Sequence, residues 1–347
     1  MTMKIFKSTL LSTALAVMTL PNVSFAENAT VTIIKPTPRS AVFFPLVAGE
    51  ALGYFEDEGI TVNLLPSDTS IPYVAFVENG QADLAMLDAY ETINATIAGA
   101  NINTVYEVMQ KAPEGIAVLA GGKYTSMSSL VGTTVGLVSD RDLSFLQAAL
   151  SISGHSVDDV KTVVLGESGP TLAAAIRDGN VSAISGSVFD WAALVANGIK
   201  LDLVTPEELI ASPANTLAMK ADQIEARRSV MEGFFRAWSK GMYAGKVNPD
   251  AVELMLRKGV PEEWEVEAAG MGLFEGVLPM NISTTALMGD LQTDIWTNIQ
   301  PRMVESGGIE KLVDVSTFLN NTYIAAANNF DKSAVEADAK AWLAANK

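Results

Sequence analysis

Short β-branched apolar runs alternate along this chain with amphipathic stretches closed by glycine. Val31, Thr32, Ile33 and Ile34 form the first run, and Pro36 and Pro38 stop it because a proline cannot donate to a sheet ladder. The spacing predicts a helix over 40–52 ending at Gly53, a strand over 60–65, a helix over 71–79 with Gly80 as its stop, and a strand over 82–87. A β-α-β-α-β order at such short intervals predicts a parallel sheet with right-handed crossovers, as in doubly wound α/β folds. Ligands of such sheets belong beyond the carboxyl ends of the strands.

The pattern starts afresh near Gly121, Gly122 and Lys123. A strand over 116–120 runs into this glycine pair. Strands at 134–138, 160–165 and 183–185 then alternate with helices at 143–153 and 171–178. A strand at 216–219 leads back, and the remainder reads as helices at 222–244, 249–258, 261–271 and 284–306. The expected architecture is two doubly wound α/β lobes joined by two crossing strands. Residues 27–120 and 213–347 make lobe 1, and residues 121–212 make lobe 2. A hinged pair of this kind leaves a cleft between its lobes.

Composition removes several kinds of chemistry. The 347 residues hold 40 acids against 23 bases, a net charge of −17, with His155 as the one histidine and no cysteine. No Cys/His zinc site, thiol nucleophile, iron-sulfur centre or disulfide can be built, so neither a metal nor a cofactor is expected. The acidity opposes nucleic acid, which requires Lys and Arg to displace phosphate counterions. Residues 1–26 carry Lys4 and Lys7, an apolar stretch over 10–20 and the small-x-small ending Ser24-Phe25-Ala26, the pattern of a cleaved secretory signal. That stretch is shorter than the ~20 residues of a spanning helix. Without a cysteine for lipid attachment, an exported protein must be retained by a compartment wall, which points to a bacterial periplasm.

The residues 51–62 (ALGYFEDEGITV) followed by 78–85 (ENGQADLA) resemble the substrate-binding proteins of nitrate, sulfonate, taurine and thiamine-precursor ABC transporters. The resemblance is strongest from Val31 to Ala95 and continues through 130–136 (LVGTTVG). It implies a type II periplasmic binding-protein fold, capture of a small molecule between lobes, delivery to an inner-membrane permease, and a monomer. The motif residues themselves have structural explanations as turns, helix stops and packing aromatics.

Catalytic motifs are missing. The stretch from Gly115 to Lys123 has Ala120 where a phosphate loop needs glycine, and Tyr124 follows the lysine. Gly166-Glu167-Ser168-Gly169 lacks the second glycine placement of a nucleophile elbow, and His155 sits in a polar turn. The acid pairs Asp158-Asp159 and Glu262-Glu263 read as solvated helix starts. No catalytic residue is assigned. An exported hydrolase and a sensing module on the same fold stand as alternatives to a transport receptor.

Topology and resemblance converge on the strand ends for the ligand. The candidates are Arg39, Ser40, Phe43, Asp68, Asp88 and Tyr90 in lobe 1, and Ser139, Arg141, Phe189, Asp190 and Trp191 in lobe 2. For Phe43 and Trp191 an aromatic wall competes with burial in the core; for Asp68 and Asp88 ligand contact competes with helix capping. Arg141 is either an anion clamp or the partner of Asp140 or Asp142. Carboxylates beside aromatic rings suit an amine-bearing heterocycle such as a thiamine-precursor pyrimidine. Sulfonate, taurine and nitrate stay as rivals because helix N-termini bind anions without basic residues.

Overall fold

The computed structural model describes Met1 and residues 28–65, 72–140, 142–305 and 307–347. Beyond Met1, the expected signal segment lies outside these residues. Among the described residues there are ten strands: β1 (Ala29–Ile34), β2 (Ile60–Leu64), β3 (Leu84–Leu87), β4 (Ile102–Met109), β5 (Glu114–Leu119), β6 (Thr134–Leu137), β7 (Lys161–Val164), β8 (Ala183–Ser187), β9 (Leu201–Leu203) and β10 (Asn215–Lys220). They form two five-stranded sheets, ordered β2-β1-β3-β10-β4 and β7-β6-β8-β5-β9. In the first, β1 is parallel to β2 and β3, while β10 runs antiparallel to β3 and β4. In the second, β6 is parallel to β7 and β8, while β5 runs antiparallel to β8 and β9.

The expected order of strands and helices is present, and its punctuation is physical. Gly53 and Gly80 have φ of 76° and 70°, the left-handed conformation that costs glycine no Cβ clash, so each helix stops there. Three expectations change. The strand expected over 116–120 and in lobe 1 forms as β5, whose pairing of Glu114 to Ser187 and Ile116 to Ser185 places it in the second sheet. The chain therefore leaves the first sheet over 110–113, before the Gly121-Gly122 pair, and returns over 204–214. Second, β4 is the first sheet's edge strand, and the alternation used to read the other strands does not reveal it: its last six residues are all buried.

Third, the helix expected over 284–306 forms only as Thr293–Glu305. Side chains of β4 and the first crossing capture the preceding segment as a loop. Gln110 Oε1 accepts the Thr284 amide at 2.7 Å, and Gln110 Nε2 donates to the Asp290 carbonyl at 2.8 Å. Tertiary hydrogen bonds here replace the ladder a helix would have made.

The first sheet is covered by helices from the chain's later part. Helix Arg228–Val247 buries Phe234, Phe235 and Trp238 completely. Phe235 stacks on Tyr106 of β4 with ring centroids 5.0 Å apart. Gly241 lets this helix meet helix Phe44–Ala51 closely, since a β-carbon there would stand 2.1 Å from the Pro45 carbonyl oxygen.

Glu107 of β4 ties the 284–292 loop to the sheet. It is fully buried; Oε1 accepts the Gln292 amide at 2.9 Å and the Trp296 indole N–H at 2.7 Å, and Oε2 accepts Gln292 Nε2 at 3.1 Å. Burial outweighs these bonds and pushes the carboxyl from 4.5 up to about 7. An acid raised on folding holds its proton more tightly in the native state, so its contribution is fullest below pH 4.5 and is lost as pH rises through about 7. Glu107→Gln should remove this share. Denaturant unfolding at pH 5 and pH 8 should show the wild type losing roughly 2–3 kcal/mol more than the variant between the two.

Candidate ligand-binding site

Four helices that follow strands start on a carboxylate of the chain itself. After β3, Asp88 Oδ1 accepts the Glu91 amide at 2.7 Å and Glu91 Oε2 accepts the Asp88 amide at 3.0 Å, closing a reciprocal cap on helix Ala89–Ile97. After β6, Asp142 Oδ2 accepts the amide and hydroxyl of Ser139 at 2.6 and 2.8 Å, where helix Asp142–Ile152 begins. After β8, Asp190 Oδ2 accepts the amide and hydroxyl of Ser187 at 2.7 and 2.8 Å, at the start of helix Val188–Ala196. After β1, Glu263 reaches across from a distant turn, and its Oε2 accepts the Ala41 amide at 2.8 Å while Ser40 Oγ accepts that of Val42. Helix Gly169–Arg177, after edge strand β7, has no side-chain cap.

These bonds bear directly on charge. The first amides of a helix and its dipole form a ready seat for an anion. At each of these four starts a carboxylate of the chain accepts an amide at or just before the first turn, which sets a negative charge beside the positive end of the helix. The acids also feel one another across the two sheets. Burial pushes the Glu114 carboxyl up, and the charges of Asp88 from the first sheet and Asp142 from the second push it further. Asp190 is raised by burial and then by Asp142 and Glu167, with its bonds from Ser187 pulling back. Asp88 and Glu91 are raised by burial against the pull of their cap bonds. Asp88 and Glu114 keep solvent contact, so these groups lie at a wet surface rather than in a sealed core.

The predicted residues fall into distinct places. Arg39 forks onto Glu50, with Nε and Nη2 at 2.9 and 2.6 Å from its two oxygens, and is committed to that pair. Ser40 is a buried cap. Phe43 is buried beneath the Lys35 ammonium, which stands 4.7 Å from its ring centre, so it forms no open wall. Asp88, Ser139 and Asp190 are caps at the strand ends, as described. Tyr90 and Phe189 are exposed, at 45% and 46%, in the first turns of the helices after β3 and β8. Trp191 is half-buried and packs with the cores of both sheets. Its ring lies against the paired glycines Gly115 and Gly186: a β-carbon at Gly186 would stand 3.3 Å from the indole. Asp68 and Arg141 lie outside the described residues.

Four participants were not read from sequence. Asp142 stands three residues after Ser139, the same spacing as Ser187 and Asp190, and that repeat was legible. Glu114 was hidden by the assignment of β5 to the wrong lobe. Glu263 reaches Ala41 across 222 positions, which no local pattern reports. Lys35, at the end of β1, is almost wholly buried and donates to the carbonyls of Thr37 and Pro38. Burial and the neighbouring Arg39 charge pull its pKa down to about 7.

Against known proteins, the model of the family described as NMT1/THI5 like matches residues 40–252, more than half of the chain. The chain belongs to this family. A 4-amino-5-hydroxymethyl-2-methylpyrimidine phosphate synthase of Legionella pneumophila is 24% identical over 123 residues, 35% of this chain. The match spans 39% of that relative's own length. Among solved structures, the periplasmic aliphatic sulphonate binding protein SsuA of Escherichia coli aligns with a TM-score of 0.61 at 16% identity, covering 85% of this chain and 98% of its own. The desulfurization enzyme DSZB aligns with a TM-score of 0.57 at 15% identity, covering 86% and 99%. The fold is the two-lobed type II periplasmic binding-protein fold.

This NMT1/THI5-like chain shows no group of three or more His, Asp and Glu placed to hold a metal among its described residues. None of its described helices is long and apolar enough to cross a membrane. A groove of about 740 Å³ flanks edge strand β7 and helix Gly169–Arg177; its lining is mostly apolar, from Val163, Leu165 and Pro170. His155 Nε2 lies 2.8 Å from Ser128 Oγ, on the turns that precede β7 and β6, the edge opposite the caps.

Because Trp191 is shared by two cores, its removal should act on stability before anything else. Trp191→Ala should lower the unfolding free energy by about 2–4 kcal/mol in urea titrations, whereas Phe189→Ala should stay within about 0.5 kcal/mol.

Proposed function

We propose that this protein is a non-catalytic solute receptor of an ABC import system, exported to the periplasm. It holds an amine-bearing ligand, a heterocycle of the thiamine-precursor kind, between its two sheets and delivers it to a permease. The observation that carries this reading is the placing of Glu91, Asp142, Asp190 and Glu263 at four helix starts, with Glu114 raised by burial and further by Asp88 and Asp142. A protonated or N–H-rich ligand relieves that repulsion and finds acceptors on both sides. The pyrimidine named in the Legionella relative has this chemistry, with an exocyclic amine on a flat ring. Exposed Tyr90 and Phe189 supply faces for such a ring.

A sulfonate receptor is the rival reading, favoured by Lys111, a cation in the first crossing. The hydrolase reading has less support. The hydrogen-bonded pair Ser128 and His155 stands on the edge of the second sheet away from the caps, and among the described residues no carboxylate bond orients the ring.

Calorimetry with 4-amino-5-hydroxymethyl-2-methylpyrimidine, thiamine, taurine, methanesulfonate and nitrate tests the choice. The amine ligands should bind, and Glu114→Gln and Asp88→Asn should each weaken them tenfold or more, about 1.5–3 kcal/mol. Affinity should fall on acidification, because protonating the raised carboxylates removes the acceptors. Glu114→Gln should also raise the melting temperature of the ligand-free protein at pH 7, since one of several mutually repelling charges is gone. Tight taurine or methanesulfonate binding, lost in Lys111→Ala or Arg141→Ala and unchanged in Glu114→Gln, would replace this reading with the rival.

A further inference from the structure

Two chain crossings join the lobes, and a third tie is made by packing alone. Helix Glu267–Val277 lies against helix Val188–Ala196 of the second lobe through Gly272 and Gly276, which share one face at a spacing of four. A β-carbon on Gly272 would stand 3.1 Å from the Ala192 carbonyl oxygen, and one on Gly276 would stand 2.5 Å from Val188 Cγ2. The backbones approach because neither position carries a side chain.

The other faces of the same helix are anchored in the first lobe. Phe274 is buried edge-on to Phe44 at 6.1 Å, and Val277 is fully buried. Just beyond the helix, Asn281 Nδ2 donates to the Val42 carbonyl at 2.8 Å. At its start, Glu267 pairs with Arg257, whose guanidinium lies 4.2 Å from the centre of the Trp264 ring. On the second-lobe side, Val188 is buried in the first lobe's core, and its amide donates to the Pro113 carbonyl in the first crossing at 2.9 Å.

We propose that the Gly272–Gly276 face is the bearing on which the lobes turn: it stays packed while they open and close, and the crossings follow. With no β-carbon at either position the two backbones meet at one close contact, about which one helix turns on the other while the contact itself stays closed. The candidate ligand cap Ser187–Asp190 lies at the first turn of the helix that rides on this bearing, which couples ligand contact to the turn.

The chain lacks cysteine, so an engineered pair is unambiguous. A β-carbon at Gly272 would lie 3.5 Å from Val195 Cβ, within the roughly 3.5–4.5 Å span of a disulfide, and Val195 is 40% exposed. Val195→Cys with Gly272→Cys should oxidise readily. Azide-bearing residues in place of the exposed Glu56 and Lys161, coupled to fluorophores, then report interlobe distance by single-molecule energy transfer in ligand-free protein. The expected result is a spread over more than one distance that is the same in oxidised and reduced protein. Collapse of the spread on oxidation would show that the contact opens, one fixed distance in both would show a rigid strut, and failure to oxidise would show that the helices are not held together. Each of these overturns the bearing. Gly276→Leu, with no space against Val188, should shift the mean distance outward; an unchanged mean would count equally against it.

Discussion

β10 runs antiparallel between β3 and β4, and β5 runs antiparallel between β8 and β9. In this chain each sheet receives the incoming chain on its one reversed strand, the second on β5 after β4 and the first on β10 after β9. Both reversed strands are internal to their sheets, where ladders on either side hold them. The crossings therefore start and end inside rigid elements. This constraint turns the carboxyl ends of the parallel strands of both sheets toward the crossings, and it is why Asp88, Glu114, Asp142 and Asp190 influence one another although 102 positions separate the first from the last.

With the strand ends so arranged, selection by charge follows from how helices are begun. Each free helix start offers amides to an anion; each capped one has already chosen an anion from its own chain. The capping residues here stabilise their helices and, by the same bonds, bring negative charge to their starts. On the function proposed above, stability and ligand preference share the hydrogen bonds at Ser139–Asp142 and Ser187–Asp190.

Much of the fold was legible because its signals are local. Gly53 and Gly80 stop helices at the expected places, and the runs at 31–34, 60–64 and 84–87 pair as parallel strands. What was not legible depends on partners far along the chain. β4 is defined by its pairing to β10, and the 284–292 loop by Gln110 and Glu107. At the site, the strand-end segments were readable from topology, whereas the commitment of Arg39 to Glu50 and of Trp191 to two cores required the packing. Sequence names the residue types near a cleft; only tertiary contacts say which of them are already engaged.

The second sheet is built from one continuous stretch, β5 to β9, while the first sheet waits for β10 and for the helix carrying Phe234, Phe235 and Trp238. During synthesis from the N-terminus, β1, β3 and β4 emerge first, with helices Phe44–Ala51 and Tyr73–Glu78 against them, but β10 and the helix carrying Phe234, Phe235 and Trp238 follow only after about a hundred further residues. The inserted lobe can complete itself in that interval. The inserted lobe thus has all of its strands at a point where the first sheet, begun earlier, still lacks β10.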